Sequence, residues 1–388
     1  MNANPLQHIL WAGLLIDNHN PKPLSSAALV IRDGIIQQVL PDFDPDTFAE
    51  LAGFQLMDLR EYTVLPGLID CHVHLALDGE DFQASLESWQ DTATWLPRVQ
   101  QALTVTRNCG VVAVRDGGDN GKVGLRAKQK LEQGIISGPV ILSCGQAISK
   151  QGRYGSFLGP GITDLSAAIA LIDQNLAEGA DWIKVIVSGI VSFQEFGKVG
   201  GLQFTQAELN AIIGYAHTKG VPVMVHASSD DAVAMSVKAG ADSIEHGYFL
   251  TVRSLEAMAA RNIPWVPTVI PVACQEECAS AESQEIIKRT YEEQLEKIAQ
   301  AHSLGVTIGV GTDAGASGVA HGKAVWRELE LLARAGLSNH EVLRAATLNS
   351  ARICGLGEQL GSIEVGKSAC VVAVKGNPLE DIAVLKKF

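Results

Sequence analysis

The rhythm of polar and apolar positions along this chain changes once, near Gly67. Before it, short apolar runs such as HILWAGLLI, AALVIRDGIIQQVL and the stretch ending EYTVL are punctuated by Pro, Asp and Gly, with no competing helical period. After it, apolar runs of strand length alternate with stretches whose apolar residues recur at helical spacing. The runs are LIDCHVHL, GVVAVRDGG, PVILSCG, ADWIKVIVSG, VPVMVHAS, ADSIEHG, IPWVPTV and GVTIGVGTDAG, eight in all. Helical stretches between them include TDLSAAIALIDQNLAEGA, TQAELNAIIGYAHTKG, SSDDAVAMSVKAGA and TVRSLEAMAARN, often with Gly just past the end. TQAE at 205–208 has the spacing of a capping box. Eight such alternations over about 290 residues predict an α/β chain built on a parallel (β/α)8 TIM barrel, whose chemistry gathers where strands end. After LNSARICGLG the strand-like pattern returns in SIEVGKSACVVAVKG. These segments and the N-terminal ones are expected to pair in a small β-sandwich-like domain, which gives 1–66 and 356–388 to that domain and 67–355 to the barrel.

Composition narrows the partners. The 388 residues are 47% hydrophobic and 19% charged, enough for a large core and unlike a disordered or coiled-coil chain. A formal charge of -13 opposes nucleic acid and anionic membranes but does not identify a substrate, and a homo-oligomer stays open. Seven cysteines, an odd number scattered through apolar or helical contexts, read as free thiols in a reducing compartment. Cys274 and Cys278 in CQEEC lack a partner set at zinc-finger spacing. The N-terminus has no basic leader and its apolar stretch is too short to span a bilayer, which gives a cytoplasmic expectation.

The predicted strand ends carry the chemistry. His72 and His74 close the first strand, and side chains two apart on a strand share a face. Lys184 lies inside the apolar run DWIKVIV, His226 ends VPVMVH, His246 follows SIE and Asp313 follows GVTIGVGT. Imidazole and carboxylate suit Zn²⁺, Mn²⁺ or Fe²⁺, whereas a lysine is a poor neighbour for dications. Singly, each residue also fits a hydrogen-bonded core or capping role; the ordered set is what speaks for a site.

That set resembles the amidohydrolase superfamily, over nearly the whole chain. GADWIKVIVSG, SIEHGYFL, GTDAGASGVAHG and GNPLEDI look most like its metal-dependent dipeptidases, prolidases and imidazolonepropionase-like proteins. The resemblance implies that CO2 carboxylates Lys184, giving an anionic carbamate that bridges two divalent ions, with zinc the expected metal. His72, His74 and Asp313 would hold one ion and His226 and His246 the other, with a bridging hydroxide as nucleophile and Asp313 as general base and then acid. The implied reaction is cleavage of an amide or peptide C–N bond in a dipeptide or N-acyl amino acid-like molecule. Cyclic amides, ureas, carbamates and lactones, a deaminase, and a non-catalytic scaffold barrel are the alternatives. The deaminases of the superfamily do not need a strand-four lysine as ligand.

Departures from the dipeptidase pattern lie in the loops. Where that branch often has Gly-Gly-His-Gly, this chain has QGRYG, with Tyr154 in the histidine position; where it often has His-Ala-Tyr, this chain has His226-Ala227-Ser228. Tyr154 and Ser228 are therefore candidate substrate contacts. Arg153 could clamp a carboxylate, His321 lies in the loop that follows Asp313, and Tyr248 in EHGYF either meets substrate or packs.

Overall fold

A computed structural model describes residues 7–46, 48 and 53–387. Residues 1–6, on which the expected absence of a leader rests, lie outside the described residues. The strands assigned are β1 (Gln7–Leu15), β2 (Leu24–Arg32), β3 (Ile35–Leu40), β4 (Gln55–Pro66), β5 (Leu68–Val73), β6 (Val111–Asp116), β7 (Val140–Ser143), β8 (Ile183–Ile186), β9 (Val223–Ala227), β10 (Ser243–His246), β11 (Trp265–Val266) and β12 (Val371–Lys375). The chain divides into two compact units, Met1–Ile69 with Leu337–Phe388, and Asp70–Gly336.

The first unit holds one mixed sheet in the order β12-β4-β1-β2-β3. Its strands bury side chains on both faces, which is why their sequences read as continuous apolar runs rather than clean alternations. Ile9, Ala28, Val30 and Phe43 cluster on one face. Their sequence neighbours Leu10, Ala12, Ala27, Leu29 and Ile31 cluster on the other. The C-terminal strand joins this sheet antiparallel to β4, with Val372 opposite Leu65.

In the second unit the strands form two arcs, β5-β6-β7 and β8-β9-β10-β11. Isolated parallel bridges, Ile148 to Val185, Trp265 to Ile308 and Val73 to Ala314, extend the arcs beyond the regular strands. Each strand is followed by a helix, and the helix Gln206–Thr218 begins with the expected capping box between Thr205 and Glu208. GVTIGVGTDAG is the exception among the predicted strands: no regular strand is assigned there. The reason is local. Asp70 accepts from the Thr312 backbone N–H at 2.9 Å and from its hydroxyl at 2.6 Å, so a side chain takes a donor that a ladder would use. At Gly311 a Cβ would fall 2.4 Å from Val266 Cγ1 and 2.9 Å from His72 Cβ, so only glycine lets this segment approach so closely.

A buried carboxyl braces the segment after β11. Glu328, on the helix Lys323–Arg334, accepts from the backbone N–H groups of Val269 at 2.9 Å and Ile270 at 2.8 Å. Burial pushes its carboxyl up to about 8 from an ordinary 4.5. The folded protein therefore keeps a proton that the unfolded chain releases, and this contribution to stability is complete below the unfolded value and lost as pH rises through the folded one. Glu328→Gln should lose this dependence. Urea unfolding from about pH 5 to pH 8 should show wild type losing stability relative to the variant, by at most about 1.4 kcal/mol per pH unit. Parallel curves would contradict the assignment.

Candidate metal centre

Six ionisable side chains, from β5, β8, β9, β10 and the segment holding Asp313, meet in the second unit. His72 and His74 lie on and just past β5, and their rings stand 5.3 Å apart, as the i, i+2 spacing on a strand requires. Asp313 reaches both, with Oδ1 3.2 Å from His74 Nε2 and 3.6 Å from His72 Nε2. His246 ends β10 with its ring 5.0 Å from that of His72 and 4.4 Å from that of His226 on β9. Lys184, in the middle of β8, puts its Nζ 3.2 Å from His72 Nε2. All four imidazoles and the lysine are buried.

The backbone is strained where these groups converge. His246, Thr268 and Asp313 adopt left-handed φ values of 71°, 45° and 56°. Such conformations cost about 1–3 kcal/mol each in non-glycine residues, and Thr268, being β-branched, fits them worst. The strain aims the groups: Thr268 Oγ1 lies 2.7 Å from His246 Nδ1, and the Asp313 backbone N–H donates to the His72 carbonyl at 2.7 Å.

Each histidine is held through one nitrogen, which leaves the other for a ligand. The Nδ1 atoms of His72, His74 and His246 face Glu245, the Gly118 carbonyl and Thr268. His226 is held the other way round: its Nε2 meets the Gly189 carbonyl and Ser228 Oγ, which leaves Nδ1. Burial, then the Lys184 charge, holds His72 down at about 4 and His226 at about 3. Burial, then His226, holds His246 well below its usual range. For His74 burial also works downward, but Asp313 outweighs it and the ring is raised. Burial alone would raise Asp313; the histidines around it hold it well below the usual carboxylate range. Three neutral imidazoles and an ionised carboxylate are the protonation states that metal ligation needs.

The donor set fits a divalent ion. Ligand atoms of His72, His74 and Asp313 lie within 4.8 Å of one another. Gly117 leaves room for them, since a Cβ there would meet His74 Cε1 at 2.8 Å and His72 Nε2 at 3.3 Å.

Behind the donors stands a fully buried network absent from the candidates read in the sequence. Arg115 pairs with Glu245 at 2.9 Å, donates to the Cys71 carbonyl at 2.7 Å and stacks on Trp182 at 4.5 Å. Glu245 Oε2 meets His72 Nδ1 at 2.9 Å, and Ser243 Oγ donates to Glu245 Oε1 at 2.6 Å. Burial acts to raise Glu245, but Arg115 and His72 hold it at about 2, so it stays an acceptor and presents His72 Nε2 to the centre. An ionisable residue inside an apolar run marked Arg115 as plainly as Lys184.

A cavity of about 220 Å³ opens beside the centre, and Tyr154, Ser228, Tyr248, His226, His246 and Asp313 are among its walls. Tyr154 stacks near His226 with ring centroids 5.4 Å apart. Two other candidates are not among the described residues lining it. Arg153 is exposed on the adjoining turn, and His321 is buried with Nε2 bonded to the Leu77 carbonyl at 2.8 Å.

Comparison with known proteins gives the family. The Amidohydrolase family matches residues 63–388. The chain belongs to it. It is accordingly a hydrolase acting on C–N bonds, with a TIM-barrel-type fold of mixed α and β content, in a family that typically uses metal ions. Ochratoxinase from Aspergillus niger is 28% identical over 417 residues, covering 98% of this chain and 83% of that protein. Imidazolonepropionase from Paracoccus denitrificans (strain Pd 1222) is 27% identical over 261 residues, covering 61% of this chain and 64% of that one. A solved Xaa-Pro dipeptidase with methionine bound in its active site is 28% identical with a TM-score of 0.84, covering 98% of this chain and 96% of that chain. No helix among the described residues is long and apolar enough to cross a membrane.

Gly117→Ala tests the donor geometry. The His74 ring cannot yield without leaving the Gly118 carbonyl or Asp313, so the variant should lose about 10- to 100-fold in zinc affinity, read by chelator competition. A methyl this close to a buried ring also strains the fold, so the melting temperature without metal should fall by several degrees, and affinity is compared on protein shown to be folded by circular dichroism. Unchanged affinity would contradict the placement of the two histidines.

Proposed function

We propose that this amidohydrolase is a binuclear enzyme that cleaves an amide or peptide C–N bond in a small substrate of dipeptide or N-acyl amino acid type. In this reading His72, His74 and Asp313 hold one divalent ion, His226 and His246 the other, and carboxylated Lys184 lies between them. The observation that carries the reading is the buried Lys184 amine, which has imidazoles around it and, among the described residues, no carboxylate at ion-pair distance. Carboxylation joins Nζ of the neutral amine to the carbon of CO2 and releases one proton to solvent. A cation that dications would repel becomes an anion that they attract.

Bound ions, with zinc the expected one, would supply an activated water and polarise the scissile carbonyl. The remaining work falls to the chain. Asp313 touches His74 and borders the cavity, a position from which its carboxylate can accept a proton during attack and return it to the leaving nitrogen. Arg115 and Glu245 hold the His72 ring in one tautomer. Tyr154, Ser228 and Tyr248 are proposed substrate contacts; Ser228 also orients His226 through its hydroxyl. Arg153 and His321 are kept as loop candidates of lower rank, since neither is among the described residues lining the cavity. The division into a small domain of 1–66 and 356–388 and a barrel of 67–355 belongs to the same proposal. So do a cytoplasmic location and a small-molecule substrate in place of nucleic acid or membrane.

Metal analysis after expression with zinc and bicarbonate should find near two equivalents per chain, and about one would instead favour a mononuclear deaminase. Asp313→Asn should retain most of the metal yet lower turnover of an amide by about 10²- to 10⁴-fold. Unchanged turnover would remove the proton-transfer role.

A further inference from the structure

Six of the residues lining the cavity beside the centre are apolar. Ile190, Val191 and Phe193 come from the segment after β8; Pro271, Val272 and Ala316 come from the segments after β11 and after Asp313. Ile190 is 49% exposed although it is a large apolar residue at this wall, so a ligand that covered it would remove apolar surface from water. No lysine or arginine is among the described residues lining the cavity; apart from the histidines, its one ionisable acid or base is Asp313, besides the two tyrosines.

The polar groups in reach of an anion are uncharged hydroxyls and one amide, and several groups are committed elsewhere. The Gln275 amide donates to the Ser317 carbonyl at 2.6 Å, and Ser228 Oγ is engaged with His226. The backbone N–H groups of Val269 and Ile270, next to Pro271, are taken by Glu328. Against that apolar wall, away from the donors, a carboxylate would lose its water and meet no side-chain cation. An uncharged apolar group would lose nothing by the same step. The volume is sufficient, because an apolar cavity of ~150 Å³ accepts benzene.

Resting on the amide-hydrolase reading above, and narrowing its substrate type to members with no free carboxylate in this cavity, we propose that this site selects amides whose group lodged there is uncharged and apolar, of aryl or arylalkyl size. Capped dipeptides, anilides and N-acyl arylalkylamines then precede free dipeptides as substrates.

The test uses three amides that differ at one carbon: N-benzoyl-phenethylamine, N-benzoyl-phenylalanine, which adds a carboxylate, and the analogue that carries an aminomethyl group instead. With the metal-loaded full-length protein, kcat/KM for the neutral member should exceed that for either charged member by about 10-fold or more. Ile190→Arg, a change at a half-exposed wall, should move the ratio toward the carboxylate by about the same factor. Equal or faster turnover of a charged member overturns the substrate class but leaves the hydrolase reading standing. If none is cleaved by protein that holds two ions, it is the hydrolase reading that fails on this series, and calorimetric binding of the same compounds decides the class. Tighter binding of the neutral member supports it; equal or tighter binding of a charged one, or no binding by any, overturns it.

Discussion

An ammonium group removed from water without a counter-ion costs several kcal/mol, and the position of Lys184 imposes that cost on the whole centre. Its side chain runs through the middle of β8, is 1% exposed, and meets the His72 imidazole at 3.2 Å. Burial pushes the amine down from its usual range, and the same positive charge helps to depress His72 and His226. As an amine, then, Lys184 works against the donors it stands among. As a carbamate it would work with them, which is why the metal-site proposal depends on this one residue.

The surrounding structure is organised to hold the donors still at some cost to itself. Left-handed backbone at His246, Thr268 and Asp313 stores strain at three points around the centre. The buried Arg115–Glu245 pair is a poor source of net stability, since desolvation offsets most of its attraction. Its value lies in the ring orientation it imposes on His72. Glycine at 117 and 311 gives the close approach that larger residues would deny. None of these features is needed to build an α/β barrel, and all lie within one or two residues of a donor or in contact with one.

Much of this was legible in the sequence, because strand ends are where one-dimensional spacing translates directly into three-dimensional direction. His72 and His74 two apart, Lys184 within an apolar run, and Asp313 after the last run could be read without a structure. The irregularity of the eighth run could not, because Gly311 and the side chain of Asp70 replace regular pairing with contacts that no periodicity encodes. The loops were harder still. Arg153 and Tyr154 are adjacent in sequence, yet only Tyr154 reaches the cavity wall, since a turn separates neighbours that a strand would have alternated predictably. The apolar wall from Ile190 to Phe193 carried no polar signal, and its role depends on what stands opposite.

The most direct measurement is carbon-13 NMR of zinc-loaded protein exchanged with labelled bicarbonate, compared with Lys184→Ala. The account predicts one labelled carbamate carbon per chain in the wild type and none in the variant. A wild-type protein that binds two ions yet takes up no label would contradict it.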